Sequence, residues 1–418
     1  MTSPARTRDR FGVLSVPGFA RLLLCSTADA WAVFLLPVAV TLVLLRGGHG
    51  ATGLGLVLAA KTFGYLLATV PAGIVADLYP RPRIMAYACL ARLLPTGLLL
   101  FLADGPLWLV GACVFVVGAG EGTLRPTQMA MLGDLVPEDR RQAAIALTTI
   151  TFRIALILSP GLATALTLGP GPETVFALSM ALWLYAAFAV RGLSSGETPA
   201  DRHEGPEPVS SKLLGGVRAA RGQPWFVAGL AALTLVLGVS DATQMVLLPV
   251  ISQDRFGTES VYAVSLSTFA LGALAGGLLM LRWRPPGPGL SAVLGIALIG
   301  AIPYTLAFAA NPWPVYAAHF VAGVGMEVFN VAWFAAIQRE FAPEVRARVS
   351  SLDFLVSFAI SPLSLALVPA AVDGAGARPV LIVMGTLVMI GCFGALAVPG
   401  TARFRTGRMS NSQREERS

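Results

Sequence analysis

Hydrophobic residues along this chain run in long, nearly unbroken stretches, and most of the stretches have the length that a bilayer demands. About 20 apolar residues in a helix cross a hydrocarbon core of about 30 Å. Cutting the chain at proline, glycine and charge clusters predicts helical spans over 18–45, 51–76, 84–103, 106–132, 142–168 and 173–190. A second set follows at 224–250, 260–281, 290–310, 312–338, 348–372 and 378–398. Connections such as Asp104-Gly105-Pro106 and Asn311-Pro312 are so short that the spans they join must form hairpins at the membrane surface. The pattern therefore predicts an all-α, polytopic membrane protein with 12 transmembrane helices.

Composition agrees with the pattern. Hydrophobic residues make up 55% of the 418 and charged residues 13%, about half the usual soluble share. Mean hydropathy is +0.72. The net charge of +7 would suggest nucleic acid in a soluble domain, but here its distribution explains it. With both termini and the even-to-odd loops on one side, 23 of the 30 Lys and Arg fall on that side. The opposite loops hold three, Arg46, Arg255 and Arg378. Basic residues mark the cytoplasmic side, so both termini are expected in the cytoplasm of a bacterial cell (inner) membrane, with no nucleic-acid partner. The apolar stretch from Gly18 to Leu45 is too long for a signal-peptide core and reads as the first span. Cys25, Cys89, Cys113 and Cys392 sit in apolar runs without metal-like spacing and read as small core residues.

One stretch interrupts the membrane pattern. From Arg191 to about Pro224 the chain is polar and rich in Pro, Gly, Ser and Glu, as expected of a cytoplasmic linker. Leu213, Leu214 and Val217 alternate there with Lys212, Arg218 and Arg221, which suits either a short interfacial helix or an irregular linker. The expected organisation is a six-helix bundle over 1–190, the linker over 191–223, a second bundle over 224–400 and a cytoplasmic tail over 401–418.

The two bundles resemble each other. Asp29-Ala30 is followed after four residues by Leu35-Leu36-Pro37-Val38; Asp241-Ala242 is followed after four by Leu247-Leu248-Pro249-Val250. Phe115-Val116, Gly118 and Gly120 lead to Pro137-Glu138-Asp139-Arg140; Phe320-Val321, Gly323 and Gly325 lead to Pro343-Glu344-Val345-Arg346. Span 1 thus matches span 7, and span 4 matches span 10. Two parallel six-helix repeats related by an axis along the membrane normal are a transporter architecture, with a site between the halves near the midplane.

After the second span the chain reads Gly73-Ile-Val-Ala-Asp77-Leu-Tyr-Pro80-Arg81-Pro82-Arg83. With the twelve spans and the repeat, this resembles the signature G-x-x-x-D-x-x-[GP]-R of the major facilitator superfamily. The second-half copy, Gly277 to Arg284, has Leu281 where the acid would stand. The resemblance implies the major facilitator fold and a cytoplasmic gate motif made by Gly73, Asp77, Arg81 and Arg83, in which Asp77 and Arg81 pair or cap helix ends. Ser26-Thr-Ala-Asp29, Leu135-Val136-Pro137-Glu138 and Pro343-Glu-Val-Arg346-Ala-Arg348 are similar to the drug–proton antiporter branch that includes siderophore and macrolide exporters. Span 5 departs from that branch, with Ser159-Pro160-Gly161 where its signature ends in Gly-Pro.

Ionisable residues inside spans are costly and mark function by default. They are Asp29, Lys61, Arg92, Glu121, Arg125, Arg153, Asp241, Glu327 and Asp353. Asp29, Glu121, Arg125, Asp241 and Glu327 fall on spans 1, 4, 7 and 10, which line the central cavity in the superfamily. Glu121 and Arg125 are four apart on one helix and can pair. Lys61, Arg92 and Arg153 read as structural partners of Asp29 and Glu121, and Asp353 as a solvated residue near a span end. His319 reads as a packing residue. Trp31, Phe34, Phe329 and Trp333 are possible substrate contacts.

The leading reading is a secondary active transporter for proton-coupled efflux of amphipathic small molecules, a multidrug-resistance type of antiporter, with Asp29, Glu121 or Asp241 carrying the proton. An importer of a small metabolite stays open as the alternative. A sensor or structural protein lacks a sizeable soluble domain. An enzyme is disfavoured: His49, His203 and His319 are far apart, and no catalytic grouping, phosphate-binding loop, cofactor or metal motif is present. Nothing in the chain requires more than a monomer.

Overall fold

The structure, a computed structural model, describes residues 12–102, 105–193, 215, 217–283 and 285–405. Every element is helical. The first half comprises α1 (Phe19–Arg46), α2 (Gly50–Leu78), α3 (Arg81–Leu90), α4 (Leu93–Leu99), α5 (Leu107–Leu135), α6 (Glu138–Leu168) and α7 (Pro172–Ala189). The second comprises α8 (Pro224–Ala242), α9 (Leu248–Phe256), α10 (Ser260–Arg282), α11 (Pro288–Ala297), α12 (Ala301–Phe308), α13 (Trp313–Glu340), α14 (Pro343–Ala359), α15 (Ser361–Ala375) and α16 (Ala377–Ala397). Among the described residues, 11 helical stretches are long and apolar enough to span a bilayer.

The third expected span, 84–103, is the exception, and proline explains it. Pro95 has no N–H to offer the carbonyl of Ala91, four residues earlier. The helix breaks at Ala91 and Arg92, leaving α3 and α4 too short to count singly. The same chemistry recurs wherever the later spans are irregular. Pro303 follows a 3-10 turn at Leu298–Gly300, Pro249 follows a π-turn at Thr243–Leu247, and Pro362 follows the break at Ile360. Pro37, Pro126 and Pro160, by contrast, leave their helices continuous.

The described chain forms two compact units that do not simply follow its order. Unit 1 contains residues up to Pro206, with Gln244–Ser267 and Ser361–Gly374; unit 2 contains Glu207–Thr243, Thr268–Ile360 and the chain from Ala375 onward. In unit 1 the later segments dock on the early helices. Arg46, at the end of α1, donates to both carboxylate oxygens of Glu259, at 3.2 and 3.1 Å. Thr52 donates to Asp373, and Gly55 lets α2 approach the backbone at Leu365.

The tightest helix pair of unit 1 is α2 against α5, and glycine makes it so. A Cβ at Gly64 would strike the Phe115 carbonyl; one at Gly118 would strike that of Lys61; one at Gly122 would strike that of Tyr65. Small residues bring helix backbones together in a membrane because dispersion and weak backbone contacts, rather than water exclusion, drive the association. Unit 2 uses the same device between α10 and α13, where Gly272 meets the Phe320 carbonyl and Gly323 that of Phe269.

The core of unit 2 at one end is aromatic. Trp225, Phe226, Phe329, Trp333, Phe341 and Phe404 pack with ring centroids 5.1–6.4 Å apart. Trp333 donates its indole N–H to Asp353 Oδ1 at 3.1 Å. Asp353 is therefore buried and bonded, not solvated as its place near a span end suggested. Of the segment expected as an interfacial helix or irregular linker, residues 217–221 are helical, while Lys212, Leu213 and Leu214 lie outside the described residues.

Candidate functional site

The charged residues of the first-half spans converge inside unit 1. A cavity of about 310 Å³ is lined by Asp29 of α1, Glu121, Arg125 and Gln128 of α5, and Thr148, Phe152 and Arg153 of α6, among others. Two ion pairs support it. Arg92 Nη1 donates to Asp29 Oδ1 at 2.7 Å, and Lys61 Nζ to Glu121 Oε2 at 2.7 Å.

These pairs differ in kind. Arg92 is fully buried. Its Nε donates to the Ala88 carbonyl at 2.9 Å, which the break at Ala91 leaves close by, and its Nη2 reaches Cys89 Sγ at 3.6 Å. The Trp183 ring covers its Cζ at 4.6 Å. Every side of this guanidinium is occupied by protein, so the Arg92–Asp29 pair is a fixed strut. Lys61 and Glu121 are each partly accessible, at 19% and 13% of their side-chain surface. Their register follows from the glycine seam, since Gly118 and Gly122 of α5 lie against the backbone of α2 at Lys61 and Tyr65.

Arg125 does not take Glu121 as its partner, despite the four-residue spacing. Its Cζ lies 4.6 Å above the Phe152 ring, and it hydrogen-bonds the Tyr65 hydroxyl. Phe34 abuts Phe152 edge-on, with centroids 5.1 Å apart, so one expected aromatic contact does stand beside the site. Arg125 makes no ion pair with a carboxylate among the described residues. Asp29, Glu121, Arg125 and Arg153 thus line the cavity, two acids and two bases, with Arg92 and Lys61 as the partners of the acids.

The remaining sequence candidates lie elsewhere. Asp241 and Glu327 belong to unit 2, where Asn330 Nδ2 reaches Glu327 Oε2 at 3.5 Å. Phe329 and Trp333 are sealed in the aromatic core of that unit. Trp31 is half-buried on α1. His319 is buried, its Nδ1 2.8 Å from the Val315 carbonyl oxygen, as a packing residue would be. Of the gate motif, Arg81 pairs with Asp134 and reaches the Ala130 carbonyl at 3.4 Å. Asp134 is a partner that the sequence reading missed; the side chains of Gly73 and Asp77 lie outside the described residues. All four cysteines are buried and unbridged. Three contributors to the site went unnoticed in the sequence: Tyr65, Phe152 and Trp183. None is charged, and nothing in their spacing separates them from ordinary core residues.

Helices long and apolar enough to span a membrane, with charged groups bonded around a small internal cavity, define a polytopic membrane protein. The comparisons refine that class. The Major Facilitator Superfamily model matches residues 22–365, and the chain belongs to that family. Two chloroplastic proteins, "Probable anion transporter 4" of Arabidopsis thaliana and "Probable anion transporter 3" of Oryza sativa subsp. japonica, are 29% and 28% identical to it over 211 and 197 residues. These alignments cover 50% and 46% of this chain, and only 37% and 36% of those proteins. An uncharacterized MFS-type transporter of Bacillus subtilis is 29% identical over 119 residues, 28% of this chain and 29% of that one. Among solved structures, a peptide transporter POT in complex with sulfate aligns at TM-score 0.73 and 13% identity, covering 96% of this chain and 100% of that one. A bacterial homolog of the human lysosomal transporter Spinster aligns at TM-score 0.72 and 15% identity, covering 97% and 100%. The chain is a multi-pass membrane protein, and its family and the relatives it matches are transporters, not enzymes.

Proposed function

We propose that this chain is a secondary active transporter of a small organic or inorganic anion, with Arg125 as the principal anion-binding residue. One observation carries the reading. Arg125 stands on the cavity wall, held by Phe152 and Tyr65, without a carboxylate partner among the described residues. A guanidinium so fixed has its fork of donors pre-oriented and accepts a carboxylate or phosphate in a bidentate manner. The anion transporters among its relatives support the same sign of substrate.

Coupling to protons follows from the accessible pair. An anion entering the cavity competes with Glu121 for Lys61. Once displaced, Glu121 takes up a proton, and substrate and proton then travel together. In this reading Arg92–Asp29 holds α1 against the α3–α4 break. Two six-helix bundles that alternately expose the site would complete the cycle, because ligand and proton stabilise one arrangement more than the other. Proton symport of an anion makes the protein an importer under an inward proton gradient. Efflux of amphipathic molecules is the competing reading, favoured by the antiporter-like segments around Asp29 and Pro343.

Proteoliposomes holding the purified protein decide between the two. Phosphate and small carboxylates, labelled one at a time, are expected to accumulate under an inward proton gradient. Arg125→Gln is expected to weaken that uptake roughly 10- to 100-fold, the cost of a lost charged hydrogen bond. Transport of a cationic dye that Arg125→Gln leaves intact, with no anion moved, would overturn the proposal.

A further inference from the structure

Away from the charged cavity, the outer face of unit 1 carries two apolar grooves on either side of α3. The first, of about 970 Å³, runs between α3 and α7 and is lined by Tyr87, Leu90, Leu184, Tyr185 and Phe188. The second, of about 640 Å³, lies on the opposite flank of α3, against Tyr79, Val116 and Thr123. Arg83 and Tyr87 line both and form the ridge that separates them. The walls are exposed to an extent that water would penalise: Tyr87 is 69% exposed, Phe188 67% and Leu184 55%.

Charge gathers at one end of this double groove only. Arg83 and Arg191 are on its lining, and Arg21 stands beside them, its Nη1 3.4 Å from the Arg191 carbonyl oxygen. All three are exposed, and none pairs with a carboxylate among the described residues. Arg191 lies over Phe188, Cζ 5.9 Å from the ring, so the rim cation and the groove wall are in contact. Tyrosines occupy the same level, where a ring that is apolar along its body and polar at its tip fits a membrane interface.

We propose that this double groove binds one anionic glycerophospholipid, its phosphate on Arg83 and Arg191 and one acyl chain on each side of Tyr87. The form of the site selects the ligand. Two apolar channels joined at a single basic headland match a molecule with two tails and one anionic head. A partner helix would fill one groove and leave the other open. A soluble anion would use the arginines and neither groove. Basic pockets between membrane helices are known to take such headgroups, and each arginine near an anionic surface contributes roughly fivefold in affinity. The site is independent of the transported substrate and rests only on the membrane reading of the helices.

Native mass spectrometry of the full chain, released from nanodiscs of mixed phosphatidylglycerol and phosphatidylcholine, tests the proposal. The wild type is expected to retain one phosphatidylglycerol in preference to phosphatidylcholine. Arg83→Gln with Arg191→Gln should lower that retention by roughly thirtyfold, two such contributions multiplied, whereas the paired Arg→Lys changes should keep most of it. Leu184→Trp, which leaves both arginines in place, should displace the lipid by filling the larger groove. Circular dichroism and a monodisperse elution profile show that each variant is folded. Equal retention of the two lipids, unchanged retention in the double Gln variant, or displacement of the lipid by inorganic phosphate alone would overturn the proposal.

Discussion

Arg92 has no exit to water, so removing its partner leaves a bare charge in the interior of unit 1. Breaking one side of a buried ion pair costs about 3–5 kcal/mol, whereas replacing both members by neutral groups of similar shape is often nearly neutral. Asp29→Asn or Arg92→Met alone should therefore lower the thermal unfolding temperature of the detergent-solubilised protein strongly. The double variant should recover most of the loss. If the double variant is no better than the worse single one, the pair is not the strut described above. The partnership was only half legible in the sequence. Counting charges inside apolar runs found both residues, because any charge there stands out. Which base serves which acid depends on distances between helices, and a single chain position carries no such distance. The four-residue spacing of Glu121 and Arg125 suggested a pair along one helix, but the close approach of α2 presented Lys61 to Glu121 first, leaving Arg125 to Phe152 and Tyr65.

That approach is a property of two elements, and it can be tested on glycines of one chain. A Cβ at Gly118 would meet the Lys61 carbonyl oxygen, a backbone atom that cannot step aside as a side chain could. Overpacking of this kind costs about 1–3 kcal/mol. Gly118→Ala should destabilise the protein by that order and weaken substrate uptake, since Lys61 moves with its backbone. Gly133 and Gly161 lie in helices too, yet nothing stands within 4 Å of a Cβ at either. Gly133→Ala and Gly161→Ala should be neutral or stabilising by up to about 1 kcal/mol, because alanine is the better helix former. Equal thermal shifts for all three would remove the glycine seam as the cause of the register. In the sequence these glycines look alike, since a helical glycine announces neither a neighbour nor its absence. Prolines behave in the same way. Pro95 breaks its helix at Ala91 while Pro126 does not, although both remove the same hydrogen bond. Of the twelve spans expected from hydropathy, 11 stretches among the described residues are long and apolar enough to cross a bilayer, because twenty apolar residues admit few other fates. The break inside the third span accompanies Pro95, and hydropathy does not tell a proline that breaks its helix from one that does not.

At the scale of the whole molecule, membership of the superfamily was legible in the Gly73–Arg83 motif and in the recurrence of Asp29-Ala30 and its following proline at Asp241-Ala242. The charge of the cargo was not, although the excess of base in the first-half spans was already countable. Those bases read as partners for the acids, and only the geometry shows Arg125 facing the cavity without a carboxylate. The consequence for coupling can be stated with its sign. Glu121 neutralises Lys61 at 2.7 Å; both are partly accessible and Glu121 stands on the cavity wall, unlike the enclosed Arg92. Adding a proton to Glu121 raises the charge of the site by one, so an anion should bind more tightly as pH falls. Linkage requires the reverse as well: the bound anion must promote proton uptake to the same degree. For a single coupled proton, Kd should rise by up to roughly tenfold per pH unit on the alkaline side and level off on the acid side. Glu121→Gln keeps the shape of the protonated acid and removes its titration. It should bind the anion as tightly at pH 8 as the wild type does at acid pH, with a flat profile. In proteoliposomes it should still exchange labelled for unlabelled anion, yet fail to concentrate the anion under a proton gradient. An unchanged pH slope in this variant would move the coupling away from Glu121, toward Asp29 or Asp241. Loss of exchange together with accumulation would make Glu121 a structural partner of Lys61 and nothing more.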